Sequence, residues 1–196
     1  MRKLIVISFL TLDGVMQAPG GKAEDTEGGF QYGGWQEQFF GDDDNTITEA
    51  IGRAGALLMG RKTYDIFAGY WPTTGKDIDV FGPFMNGVTK YVASKTLRKT
   101  EWQNSNLLKG NVPEAVTSLK QESGKDIYMF GSGDLCQTLM QHHLIDEYLL
   151  MIHPLTLGPG KRLFRPDSSK QDLELLNSKT TQAGILVIRY KVKGNV

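Results

Sequence analysis

The chain has 196 residues, 40% of them hydrophobic, with 22 Lys+Arg balanced by 22 Asp+Glu and a single cysteine, Cys136. That length suits one domain, taken as residues 1–196, and a net charge of zero supplies no overall positive field for nucleic acid. One cysteine builds neither an internal disulfide nor a cysteine-rich zinc site, so the cytoplasm is the expected compartment.

Met1-Arg2-Lys3 ahead of apolar residues 4–12 has the outline of a signal peptide. The run is rich in β-branched residues, stops at Asp13 and meets no small-x-small cleavage site, so residues 4–10 read instead as a strand buried on both faces. No apolar segment reaches the roughly 18 residues of a membrane helix. Residues 13–35 then hold seven of the chain's 23 glycines with almost no apolar period, a loop long enough to be functional. Its aromatics Phe30, Tyr32 and Trp35 point to an ordered lid that closes over a ligand.

Asp42, Asp43 and Asp44 precede apolar positions Ile47, Ala50, Ile51 and Ala54 at helical spacing, with Thr46 and Glu49 spaced as a capping box. Residues 56–59 read as a buried strand ending at Gly60, and a short helix opens at Arg61. Pro72, Gly75, Gly82, Pro83 and Gly87 mark residues 71–88 as irregular. A strand at 89–93 follows, then a helix capped by Asn111 with Pro113 in its first turn. Residues 126–130 form a strand, 131–133 a tight turn, 134–141 a helix and 147–152 a further strand ended by Pro154. The last runs, 173–176 and 185–192, leave no room for a long helix between them and should pair as an antiparallel hairpin. Together these predict a three-layer αβα sandwich around a mixed, mainly parallel sheet.

The strand, glycine, helix junction occurs twice, at Met59-Gly60-Arg61-Lys62-Thr63 and at Phe130-Gly131-Ser132-Gly133-Asp134. A glycine at a strand's end lets phosphate approach backbone N–H groups, and the helix start behind it favours negative charge. Two such junctions suit a pyrophosphate, although an ordinary strand-to-helix turn explains either one alone. Neither a Walker A loop nor the three-glycine dinucleotide fingerprint is present.

Met59-Gly60-Arg61-Lys62-Thr63-Tyr64, Val92-Ala93-Ser94-Lys95 and Tyr128-Met129-Phe130-Gly131-Ser132-Gly133, in that order, resemble dihydrofolate reductases. With Thr11-Leu12-Asp13-Gly14, Leu144-Ile145-Asp146-Glu147 and His153-Pro154-Leu155-Thr156-Leu157-Gly158 added, the chain is more similar to the reductase domain of the bacterial riboflavin-biosynthesis deaminase-reductase, in a stand-alone branch. The resemblance implies an NADPH-dependent reductase and a homodimer. By position it assigns Gly60, Arg61, Lys62 and Thr63 to the cofactor's phosphates, Ser94 and Lys95 to its 2′-phosphate, and Gly131, Ser132 and Gly133 to the turn under the pyrophosphate. Asp13 would lie beside nicotinamide and substrate, and Asp44 sits nearest the spacing of the folate enzyme's acid; these are the catalytic candidates.

Trp35, Phe39 and Tyr64 could stack on a flat substrate, although packing accounts for each one singly. His142 and His143 read as a helix end, and His153 has no metal partners in the sequence around it. The implied substrate is 5-amino-6-(5-phosphoribosylamino)uracil ahead of dihydrofolate. Its weak point is the phosphate anchor, since the long loop carries only Lys22 as a cation. A nucleotide-binding dimer that kept the fold without catalysis is the alternative from another class.

Overall fold

The computed structural model describes residues 1–41 and 45–194. Strand β1 (Leu4–Thr11) is buried along nearly its whole length and serves two compact units. The first comprises Met1–Ile5 and Asn45–Ile145, the second Val6–Asp44 and Asp146–Val196.

In the first unit the strands are β2 (Ala54–Gly60), β3 (Thr89–Ala93), β4 (Ser105–Leu107) and β5 (Asp126–Phe130), in the order β4-β3-β2-β5-β1. The β2–β3, β3–β4 and β2–β5 pairs are all parallel. Leu57, Leu58, Met59, Val92, Ile127 and Met129 are fully or almost fully buried, as expected of strands covered on both faces. The helices are α1 (Thr46–Arg53), α2 (Arg61–Tyr70), α3 (Phe81–Gly87), α4 (Val112–Gln121) and α5 (Gly133–Gln141). The Asn111 side chain accepts from the Glu114 N–H at 3.2 Å at the start of α4, the cap its sequence implies.

Two expectations change here, and a third falls outside the described residues. Thr46 is the first residue of α1 and not its cap, so no Thr46–Glu49 box forms; Asn45 precedes the helix, and Ala54 leaves it to open β2. Asp42, Asp43 and Asp44 lie outside the described residues. Residues 71–88 contain α3, because Gly82 and Pro83 occupy its first turn, where a missing N–H costs nothing. A Cβ at Gly82 would stand 2.2 Å from the Lys76 carbonyl oxygen, so the segment closes on itself only with glycine there. The far end of α3 is capped by Lys90, whose ammonium donates to the carbonyls of Met85 and Val88, both at 2.8 Å. Strand β4, only three residues long, has no apolar run to announce it.

In the second unit β6 (Glu147–His153), β7 (Leu173–Thr180) and β8 (Leu186–Val192) continue the order as β1-β6-β8-β7. The β6–β8 and β7–β8 pairs are antiparallel, which is the closing hairpin expected from the sequence. Glu147 is buried in β6 and accepts from Arg189 Nε of β8 at 2.7 Å. Edge strand β7 exposes seven of its eight residues. Among the described residues no helix is long and apolar enough to cross a membrane.

Candidate functional site

The two strand, glycine, helix junctions of the first unit stand side by side, because β2 and β5 are neighbouring parallel strands with Leu58 opposite Met129. Ser132 links them. Its hydroxyl accepts from the Gly60 N–H and donates to Thr63 Oγ1, each at 2.8 Å, which uses the single proton a hydroxyl has. Ser132 reaches this position in the left-handed region, φ 63° and ψ 60°, at a cost of about 1 kcal/mol or more for a residue with a Cβ. A Cβ on Gly60 would come within 3.3 Å of the Ser132 side chain, so glycine there permits the close approach. Helices of 10 and 9 residues therefore start next to each other, their first N–H groups lacking intrahelical acceptors. That arrangement suits an extended anion.

Gly60 is also paired with Ala93 of β3, so Ser94 and Lys95 follow at the same end of the sheet. Ser94 Oγ accepts from the N–H groups of Thr96 and Leu97, which folds the turn carrying Lys95. Lys95 is exposed and makes no ion pair among the described residues. Arg61 donates through Nε to both oxygens of Asp65, at 2.8 and 2.6 Å, on the surface of α2. Lys62 is exposed one residue further on. Tyr64 is buried and its hydroxyl accepts from the N–H groups of Glu101 and Trp102 at 2.9 and 3.1 Å. That commitment accounts for Tyr64 as a packing and loop-holding residue on the wall of a cleft of about 940 Å³ shared with Arg61, Arg98 and Trp102.

In the second unit Asp13 accepts from Thr11 Oγ1 at 2.5 Å and from the N–H groups of Leu157 and Gly158 at 3.2 and 2.7 Å. Burial raises its pKa, but these hydrogen bonds to the ionised form outweigh it and hold the carboxyl below its ordinary value. Asp13 is thus a tether and an acceptor, the wrong protonation state for a proton donor. Arg162 donates through Nε to the Asp13 carbonyl oxygen at 3.0 Å and through Nη2 to that of Gly158 at 2.8 Å, and its side chain stays 41% exposed. The sequence reading passed over Arg162 because nothing local marks it, 149 residues from Asp13 in the chain.

Residues 15–36 are anchored rather than loose. Val15, Ala18, Phe30 and Trp35 form a buried cluster with Phe9, Leu155 and Leu157 packed against it. The Trp35 indole N–H donates to the Gln17 carbonyl at 2.8 Å, and Gln17 itself donates to the carbonyls of Asp25 and Glu27. Lys161 adds ion pairs to Asp25 at 2.6 Å and to Glu27 at 2.5 Å. Trp35 and Phe39 both have ring centroids 5.1 Å from that of His153, which is fully buried. Asp44 lies outside the described residues.

A parallel core closed by an antiparallel hairpin, with paired glycine junctions at adjacent strand ends, defines a protein of the dihydrofolate reductase-like fold. Residues 2–187 match the family model described as the RibD C-terminal domain, and the chain belongs to that family. It is 30% identical over 196 residues to the uncharacterized protein YyaP of Bacillus subtilis (strain 168), covering 98% of this chain and 96% of YyaP. Among solved structures, a Shewanella sp. PV-4 protein named for riboflavin biosynthesis superposes with a TM-score of 0.73 at 21% identity, covering 98% of this chain and 99% of that one. Acinetobacter baumannii RibD superposes with a TM-score of 0.59 at 14% identity, over 99% of this chain and 59% of that longer one. These structural likenesses carry the fold.

Proposed function

We propose that this chain is an NADPH-dependent reductase that delivers hydride to an imine or carbonyl carbon. The observation that supports the reading is the Ser132 bridge, which brings two helix starts side by side in an arrangement suited to an anion. Gly131, Ser132 and Gly133 through backbone N–H groups and Thr63 through its hydroxyl proton would hold the cofactor's pyrophosphate, while Gly60, whose N–H is taken by Ser132, would let it approach closely. Arg61, Lys62, Ser94 and Lys95 would meet the 2′-phosphate with charge-assisted hydrogen bonds. The cofactor, when bound, supplies the hydride; the protein's part is orientation and exclusion of water.

The preferred substrate is 5-amino-6-(5-phosphoribosylamino)uracil, reduced at C1′ of its ring-opened ribose. Arg162, 41% exposed and 3.6 Å from the Asp13 carboxylate, would offer the further cation lacking in the long loop, with the sugar phosphate competing against Asp13 for it. Because Asp13 is held ionised, the proton would come from another group or from water. We also propose a homodimer. Leu175 and Leu176 are 54% and 44% exposed on β7, an apolar surface that a second copy would cover.

Binding discriminates the cofactor reading. NADPH should bind in the micromolar range and NADH more weakly, and Lys95→Ala should weaken NADPH about tenfold with little effect on NADH. Arg61→Ala should do the same to a smaller extent, since Asp65 already engages that guanidinium. Equal losses for both cofactors would remove these side chains from the 2′-phosphate.

A further inference from the structure

His153 ends β6 with 0% of its surface exposed. Its Nδ1 stands 3.2 Å from the Leu10 carbonyl oxygen and 3.1 Å from that of Met151. Both neighbours only accept, so the ring proton belongs on Nδ1 and Nε2 presents a lone pair. That atom is buried and has no hydrogen-bond partner among the described residues. A buried acceptor without a partner costs free energy that a phenylalanine at the same position would not incur.

The imidazole is bounded by three aromatic rings, Phe9 with its centroid at 6.2 Å and Trp35 and Phe39 at 5.1 Å, all steeply inclined to it. Trp35 is fixed, buried and bonded through its indole N–H. Phe39 is not. It is half buried, ends the single 3-10 turn Glu37–Phe39 and is followed by the exposed Phe40. Phe9 is equally only partly buried but is held in β1, whereas Phe39 lies on this short turn outside the sheet.

We propose that His153 is a specificity residue: a flat heterocycle takes the place of the Phe39 ring and donates a ring N–H to Nε2. The inference rests on the reductase reading for its setting and goes beyond it in naming the atom that recognises the substrate's ring. Because Nδ1 is committed to carbonyl oxygens, Nε2 accepts and never donates, so the site selects a lactam or amino N–H over a bare carbonyl edge. Burial lowers the His153 pKa, in keeping with a neutral ring in the working pH range.

The test uses the full chain, labelled with nitrogen-15 at histidine, and two probes built on one ring, uracil and 1,3-dimethyluracil, the second bulkier by two methyl groups, so that comparison with His153→Phe separates bulk from hydrogen bonding. Only uracil carries ring N–H groups. The proposal expects uracil to shift the His153 Nε2 resonance and to bind about tenfold more tightly than the dimethyl compound. His153→Phe keeps the aromatic packing and should erase that preference, while His153→Gln, with an amide oxygen near the same place, should restore part of it. An unmoved Nε2 resonance at saturating uracil, equal responses to the two probes, or no binding of uracil would each overturn the proposal. None of these results depends on NADPH, so failure here is separable from failure of the reductase reading.

Discussion

Lys90 shows how a single buried charge can be read from its surroundings. Fully buried in β3, it donates to the carbonyls of Met85 and Val88 and sits 4.2 Å from the centroid of the Trp102 ring, while burial lowers its pKa from 10.5 to about 8. Between those values the unfolded chain holds the proton and the folded chain has released it, so stability rises with pH across the window, by roughly 2–3 kcal/mol for this group. Comparing denaturant unfolding at pH 7.5 and 10 for the parent and Lys90→Met checks this: the variant should lose that part of the rise, and parallel pH profiles would contradict it. The same scale shows what the sequence could carry. Gly60 and Gly131 were legible because a strand, a glycine and a helix start are local patterns. Ser132 bonding Thr63, 69 residues away, and Asp13 bonding Gly158 were not, because those contacts exist only once β2 and β5, or β1 and the segment after β6, have been brought together. His153 was set aside for want of metal partners, and its significance comes from three rings distant in the chain.

At the scale of elements, strand and helix periods placed β3 and β5 at their observed bounds and the hairpin at its place, whereas α3 was hidden by a glycine and a proline that a helix tolerates in its first turn. The long glycine-rich segment was recognised, but its anchoring was not, since Gln17 and Lys161 act across the chain. Its flanks are hydrogen-bonded, Met16 N–H to the Lys161 carbonyl at 2.8 Å and Gly34 N–H to that of Ala18 at 2.9 Å. Between them Gly28 and Gly29 take positive φ, and Tyr32 is 50% exposed. Movement on ligand binding is therefore expected at Gly28, Gly29 and residues 31–32, beside the anchored Glu27 and Phe30, and not in the whole loop. Hydrogen exchange should find Met16 and Gly34 protected in the free protein, with Gly28, Gln31 and Tyr32 exchanging rapidly and slowing when cofactor and product are added. Rapid exchange at Met16 and Gly34 would show that the anchors do not hold.

For the molecule as a whole, the family and the mixed sheet with its closing hairpin are established, while association and chemistry are proposals that solution measurements decide. The exposed leucines of β7 predict a homodimer, and light scattering should give twice the chain mass at micromolar concentration; a monomer mass independent of concentration would contradict it. Hydride transfer is the activity proposed for the whole molecule. Its most direct test follows NADPH oxidation with 5-amino-6-(5-phosphoribosylamino)uracil and with dihydrofolate in parallel. Turnover of the aminouracil phosphate is expected, with dihydrofolate slower or inert; turnover of dihydrofolate alone would reverse the substrate assignment, and no oxidation with either would contradict the proposed reaction.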